Sequence, residues 1–218
     1  LMVRLVKGAY WDTEIKHAHE EGMVNFPVFT TKHGTDINYL ACAHALLQAG
    51  PRIYAQFATH NAHSLATILM MAEAEGVTNY EFQRLHGMGE PLYGAAEKGD
   101  KVRVYAPVGA HKDLLPYLVR RLLENGANTS FVHSFLDPDV DVEKVVDDPI
   151  AKVEAGPRRH PRIPTPPRLY GPMRKNSIGV DLSQASERKV LEDHVDELRA
   201  GKALVAGPII SSKLLSDG

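Results

Sequence analysis

Cysteine is almost absent: Cys42 is the only one in 218 residues. That excludes an internal disulfide and a cysteine-rich metal site, and it is compatible with a reducing cytoplasm. No apolar run approaches the roughly 18–20 residues needed to span a bilayer, and there is no amino-terminal signal pattern. Neither charge sign prevails. With 25 Lys and Arg against 27 Asp and Glu, the formal net charge is −2, so nothing global argues for nucleic acid or an acidic membrane surface. What remains is ordinary globular composition, 44% apolar and 24% charged, in a length suited to one large domain or one domain plus a tail. The chain opens inside an apolar run, Leu1-Met2-Val3-Arg4-Leu5-Val6, and its end, with Gly207-Pro208-Ile209-Ile210-Ser211-Ser212, shows no clear closing element. The expectation is a fragment of a longer protein.

Short segments rich in Val, Ile, Leu, Phe and Tyr read as buried strands: Leu1 to Lys7, Ile53 to Thr59, Tyr80 to His86 and Lys101 to Ala106. Turn chemistry follows the first, third and fourth, and Thr59-His60-Asn61 after the second suits a helix cap. Helical periodicity fills the spaces between them: Asp12 to Glu21, Asp36 to Ala49, Asn61 to Ala74 and Leu114 to Asn125, with Gly126 as a C′ glycine. Val142 to Ala155 reads as a surface helix. Strand–helix alternation predicts a parallel sheet covered by helices, either half of a (β/α)8 barrel or a small open sheet. After Gly156 the character changes. Pro157, Pro161, Pro164, Pro166 and Pro167, interleaved with Arg158, Arg159, Arg162 and Arg168, form an extended basic linker, and residues 184–200 read as one more amphipathic helix.

In such folds ligands bind beyond the carboxyl ends of the strands, which selects Lys7 to Trp11, Thr59 to His63, Leu85 to Glu90 and Tyr105 to Gly109. Arg4, inside an apolar strand, must be ion-paired or face an anionic or electron-accepting group. Gly8 and Ala9 allow close backbone approach, and Tyr10 and Trp11 offer aromatic walls. His60 and His63 stand three apart, a spacing that permits a metal pair, but no zincin-type Glu follows. Thr59, His60 and Asn61 read better as hydrogen-bonding groups at a helix amino-terminus. Leu85-His86-Gly87-Met88-Gly89 is not a dinucleotide fingerprint. Arg120 and Arg121 are either a carboxylate fork or a solvated pair, with Glu124 an i,i+4 partner of Arg120.

The order and spacing of Arg4-Leu5-Val6-Lys7-Gly8-Ala9-Tyr10-Trp11, Gln56-Phe57-Ala58-Thr59-His60-Asn61, Leu85-His86-Gly87-Met88-Gly89-Glu90, Tyr105-Ala106-Pro107-Val108-Gly109 and Tyr117 to Gly126 resemble the proline dehydrogenase domain of bifunctional proline-utilisation proteins. The likeness covers roughly residues 1–155. Arg168-Leu169-Tyr170 and Asn176-Ser177 resemble the entry to the Δ1-pyrroline-5-carboxylate dehydrogenase region. The resemblance implies the carboxy-terminal half, strands five to eight, of a flavin-binding (β/α)8 TIM-type barrel over 1–155. A Pro/Arg-rich linker over 156–175 and the start of an aldehyde dehydrogenase-type region over 176–218 would follow.

It further implies an FAD-dependent oxidoreductase that converts L-proline to Δ1-pyrroline-5-carboxylate and passes electrons to quinone. Arg4 would lie near flavin N5 as the catalytic residue. Lys7, Gly8, Ala9, Thr59, His60, Asn61 and Glu124 would hold FAD. Tyr10, Leu85, Tyr105 and Tyr117 would wall the substrate pocket, and Arg120 and Arg121 would grip the proline carboxylate; no metal is implied. The expected partners are L-proline, quinone, an NAD-dependent pyrroline-5-carboxylate dehydrogenase domain of the same parent chain and further copies in a homo-oligomer, with no nucleic-acid contact from this segment. The expected location is the cytoplasm, peripheral to the inner face of the membrane. The family's substrate-ammonium contacts come from the other half-barrel, so the chain alone is expected to bind FAD weakly and to be inactive. The alternatives are a non-catalytic assembly segment and a metal-dependent hydrolase using His60, His63 and His86.

Overall fold

A computed structural model describes residues 1–95, 101–126, 148–180, 182, 184–201, 209–210 and 213–214, without the side chains of residues 95, 122–126, 209–210 and 213–214. In order these form β1 (Met2–Leu5), α1 (Trp11–Glu20), α2 (Lys32–Gln48), β2 (Tyr54–Ala58), α3 (Ala62–Ala74), β3 (Tyr80–Leu85), α4 (Glu90–Ala95), β4 (Val102–Tyr105), α5 (His111–Gly126), α6 (Pro149–Ala155), α7 (Ala185–Arg199), β5 (Ile209–Ile210) and β6 (Lys213–Leu214). The chain divides into two compact units, one of Leu1–Ile15 with Pro27–Ile163, the other of Lys16–Phe26 with Pro164–Gly218. No helix among the described residues is long and apolar enough to cross a membrane.

The first unit is an α/β fold on a four-stranded parallel sheet in the order β1-β2-β3-β4. Register pairs Leu5 with Phe57, Phe57 with Phe82 and Phe82 with Val102, and register partners in a parallel ladder share a face. That face therefore carries an apolar row, on which α2 and α3 pack. Tyr39, Ala43 and Leu47 of α2 and Leu65, Ile68 and Ala72 of α3 close over Ala55, Phe57 and Phe82 to form the core. Phe57 and Phe82 are tilted against one another at 6.1 Å between centroids, and fully burying such a side chain contributes roughly 1.5–3 kcal/mol.

Local chemistry explains the boundaries. Asn61 caps α3, its Oδ1 accepting from Ser64 N at 2.9 Å. α2 starts at Lys32, earlier than the periodicity predicts, because Lys32 pairs with Asp36 one turn on, at 2.7 Å. The predicted helix over Val142 to Ala155 is seen only as α6, capped by Asp148, whose side chain accepts from Ile150 N at 2.9 Å; residues 142–147 lie outside the described set. α4 is a helix that the sequence reading missed, since Pro91 and Gly94 obscure its period.

In the second unit Asn176 Nδ2 donates to His19 O at 2.8 Å, and Gly179 N to Gly22 O at 3.3 Å. The two glycine backbones come so close that a Cβ on either would overlap the other strand of chain. α7 and the antiparallel pair β5–β6 also belong to this unit.

Candidate active site

The opposite face of the parallel sheet is polar. Register joins Arg4 to Gln56, Gln56 to Glu81, Ala58 to Gln83, Gln83 to Arg103 and Leu85 to Tyr105. Glu81 is the hub of this face. Its carboxylate accepts from Arg103 Nε at 2.6 Å and Nη2 at 2.8 Å, from Gln56 Nε2 at 2.8 Å, from Gln83 Nε2 at 2.9 Å and from Tyr54 Oη at 3.1 Å. The Arg103 fork, opposed by burial, brings the Glu81 carboxyl down to about 2. Gln83 passes the network on, its Oε1 accepting from Arg4 Nε at 2.7 Å.

Glu81 is depressed from an ordinary 4.5, so its contribution to stability is fully present above that value and is lost as pH falls towards 2. Glu81→Gln is expected to destabilise the fold by about 1–2 kcal/mol, because buried Glu81 loses its charge-assisted hydrogen bonds while water screens the exposed Arg103 side of the pair. Its unfolding midpoint is expected to depend less on pH than the wild type's below about pH 5. Denaturant unfolding of both proteins over a pH series measures this; parallel pH curves would contradict it.

Arg4 departs from the sequence reading. It is not enclosed in apolar surroundings but lies exposed on the polar face, because only alternate residues of β1, Val3 and Leu5, turn to the helices. Among the described residues it meets no carboxylate directly. Its Nε is held by Gln83, and its guanidinium lies over the Tyr105 ring at 4.8 Å, which leaves both Nη groups without a hydrogen bond among those residues.

Of the aromatic and cationic residues selected from the sequence, Tyr105, Tyr117 and Arg121 come together around Arg4. Tyr105, at the end of β4, lies beside Tyr117 of α5, and burial, then Tyr105, raise the Tyr117 phenol. Arg121 lies over Tyr117 at 5.5 Å, and Arg120 over Tyr10 at the same distance. The two arginines thus have different aromatic platforms, as the 100° step of a helix requires. Tyr10 sits at φ 59°, in the turn that brings the chain from β1 into α1. Leu85 is buried at the end of β3. Glu124 falls within α5, but its side chain lies outside the described residues.

At the second strand end, Thr59 is buried and its Oγ1 accepts from Asn61 N at 3.1 Å. His60 Nε2 accepts from Leu85 N at 3.2 Å, which places a neutral ring's proton on Nδ1. Burial, then Arg84 and Arg121, lower the His60 pKa, so the ring is a neutral donor at physiological pH. Gly89, at φ +72°, lets the β3 loop lie against this ring, where a Cβ would come within 3.0 Å of His60 Cδ2. His63 instead lines a cleft with Ile37, Leu40 and Asp148. No three His, Cys, Asp or Glu converge as metal ligands among the described residues.

Lys7, after β1, donates to Asp36 at 2.6 Å and to Ser64 at 3.0 Å, and lies 4.9 Å from the Tyr39 ring centre. Burial lowers the ammonium pKa against the pull of Asp36. Burial also opposes the Asp36 charge, yet Lys7 and Lys32 outweigh it and hold that carboxyl low. Gly8 and Ala9 follow on the surface. The sequence reading missed Glu81, Gln83, Gln56 and Arg103. The available signal was the two-residue alternation Tyr80-Glu81-Phe82-Gln83, which puts an acid and an amide on one face.

A family model described as Proline dehydrogenase matches residues 1–134. The chain is 52% identical over 198 residues to the Bifunctional protein PutA of Klebsiella aerogenes, covering 84% of this chain and 15% of that protein. It is 49% identical over 210 residues to the Bifunctional protein PutA of Rhizobium meliloti, covering 93% and 17%. A crystal structure of a Bradyrhizobium japonicum Proline Utilization A (PutA) mutant superposes with a TM-score of 0.80 at 51% identity, over 94% of this chain and 21% of that one. The chain thus spans about a sixth of the length of these curated relatives. With its match over residues 1–134, the chain belongs to the proline dehydrogenase family.

Proposed function

We propose that the polar face and strand ends of the first unit form part of an FAD-dependent proline dehydrogenase site, oxidising L-proline to Δ1-pyrroline-5-carboxylate with electrons passed on to quinone. The single observation that carries this is the convergence of Arg4, Tyr105, Tyr117 and Arg121 into one cation–aromatic chain at the carboxyl ends of β1 and β4. In this reading the four strands are strands five to eight of a (β/α)8 barrel over residues 1–155. Residues 156–175 link it to an NAD-dependent pyrroline-5-carboxylate dehydrogenase region beginning at 176, in a homo-oligomer in the cytoplasm.

The donor set suits a flavin. Arg4 makes no Nη hydrogen bond to another described residue, neutral His60 offers Nδ1–H, and α3 presents its amino-terminus beside Thr59 and Asn61. Lys7, Gly8 and Ala9 would line the same edge of the flavin, and Glu124, by the family resemblance, would meet its adenosine portion. When bound, the flavin supplies the two-electron acceptor for the hydrogen leaving C5 of proline.

The chain's own residues orient and stabilise. Arg120 and Arg121 hold the substrate carboxylate by charge-assisted hydrogen bonds. Tyr10, Leu85, Tyr105 and Tyr117 wall the ring of the substrate and exclude water. Arg4, as a fixed cation, favours the negative charge that accumulates as hydrogen departs. The test is product formation by the full-length protein from L-proline with a soluble quinone. Stoichiometric Δ1-pyrroline-5-carboxylate and quinol are expected; flavin-loaded protein that forms neither would contradict the reading.

A further inference from the structure

We propose that Gln83 and Glu81 are positioning residues for Arg4: Glu81 fixes which way the Gln83 amide points, and Gln83 thereby fixes the Arg4 guanidinium. The inference rests on the flavin reading above and deepens it, adding two residues that touch neither flavin nor substrate.

An amide side chain has one donating and one accepting end. Glu81, ionised and acceptor-only, takes the Gln83 Nε2 donor at 2.9 Å, so the accepting Oε1 must face Arg4, as it does at 2.7 Å. The opposite rotamer would set Oε1 against the Glu81 carboxylate, acceptor against acceptor, and the one NH2 group against the Arg4 Nε–H, donor against donor. Glu81 cannot turn away, because Arg103 grips it with two hydrogen bonds and Gln56 and Tyr54 hold it from β2. Glu81 and Gln83 are among the few buried polar residues, at 3% and 5% exposure, so each lost bond carries the full cost of an unsatisfied group. Ala58, the register neighbour of Gln83 on β2, ends at a methyl and lets Arg4 reach across that strand. The result is a guanidinium tied through Nε alone and rested on Tyr105, with its fork committed to no other described residue.

A network that only braces the sheet would alter stability and leave the flavin's electronic environment alone. The measurement is therefore the reduction potential of the bound flavin in the full-length protein, with flavin content and proline kinetics alongside. The variants are Gln83→Met, Glu81→Gln, Arg4→Met and Arg4→Met/Gln83→Met. Gln83→Met and Glu81→Gln are expected to shift the potential in the direction of Arg4→Met, to more negative values and by a smaller amount, with kcat down about tenfold and KM unchanged. In the Arg4→Met background Gln83→Met is expected to add no further shift.

The relay is overturned if Gln83→Met keeps the wild-type potential while Arg4→Met moves it, or if the two shifts add. Should Gln83→Met fail to fold, Glu81→Gln decides by the same criterion. A wild-type protein that carries no flavin, or carries it and does not oxidise proline, overturns the proposed function itself and the relay with it.

Discussion

Replacing Arg120 and Arg121 together with methionine is expected to raise the KM for proline by about two to three orders of magnitude while flavin content stays at the wild-type value. Two charge-assisted hydrogen bonds to a carboxylate are worth roughly 1.5–3 kcal/mol each, and methionine keeps the length and apolar stem of the side chain while removing every donor. Each arginine lies over a tyrosine, Arg120 over Tyr10 and Arg121 over Tyr117. A cation–aromatic contact at such a site contributes only about 0.5–1 kcal/mol, so losing it cannot produce an effect of that size. Steady-state kinetics with proline, read beside the flavin-to-protein ratio, separate the possibilities. A KM within about threefold of wild type, less than the loss of one such contact at its upper limit, would make the pair a packing feature and remove the carboxylate clamp.

Arg4→Met carries the second large effect. A preorganised cation beside developing negative charge typically supplies about 10²–10³ in kcat, and Arg4 is held for such a role by Gln83 and Tyr105. The expected result is a kcat lower by about that factor, a nearly unchanged KM and a more negative flavin potential. A variant that loses proline affinity instead would place Arg4 against the substrate rather than the cofactor.

The backbone was largely legible because its determinants are local. Each strand lies within its predicted range, shortened only where turn residues begin, and Asn61 announced α3 by the chemistry of its amide. α4 and the start of α2 were not legible: Pro91 and Gly94 hide one, and the other depends on a Lys32–Asp36 pair. For the site, the strand-end rule selected Tyr105, whereas Arg4 stood out as a charge inside a strand and Tyr117 and Arg121 as residues of the last helix; these four lie together.

What sequence could not give was the environment of the charges. Arg4 read as a cation stranded in an apolar strand, yet it lies on a polar face built from three other strands. Its direct partner is 79 residues away in sequence. Glu81, the most strongly perturbed carboxylate of that face, is inconspicuous in the run Tyr80-Glu81-Phe82-Gln83-Arg84-Leu85. Its importance depends on Arg103, Gln56 and Tyr54 arriving from neighbouring strands, which only the register determines.

The central claim is that this cluster belongs to a flavin site that takes hydrogen from proline. The most direct measurement is an anaerobic titration of the full-length protein with L-proline, following the visible absorbance of its bound flavin. The account requires that proline alone bleach the flavin stoichiometrically and that the Arg120→Met/Arg121→Met protein need far more proline for the same change. A flavin that stays oxidised at saturating proline would contradict it.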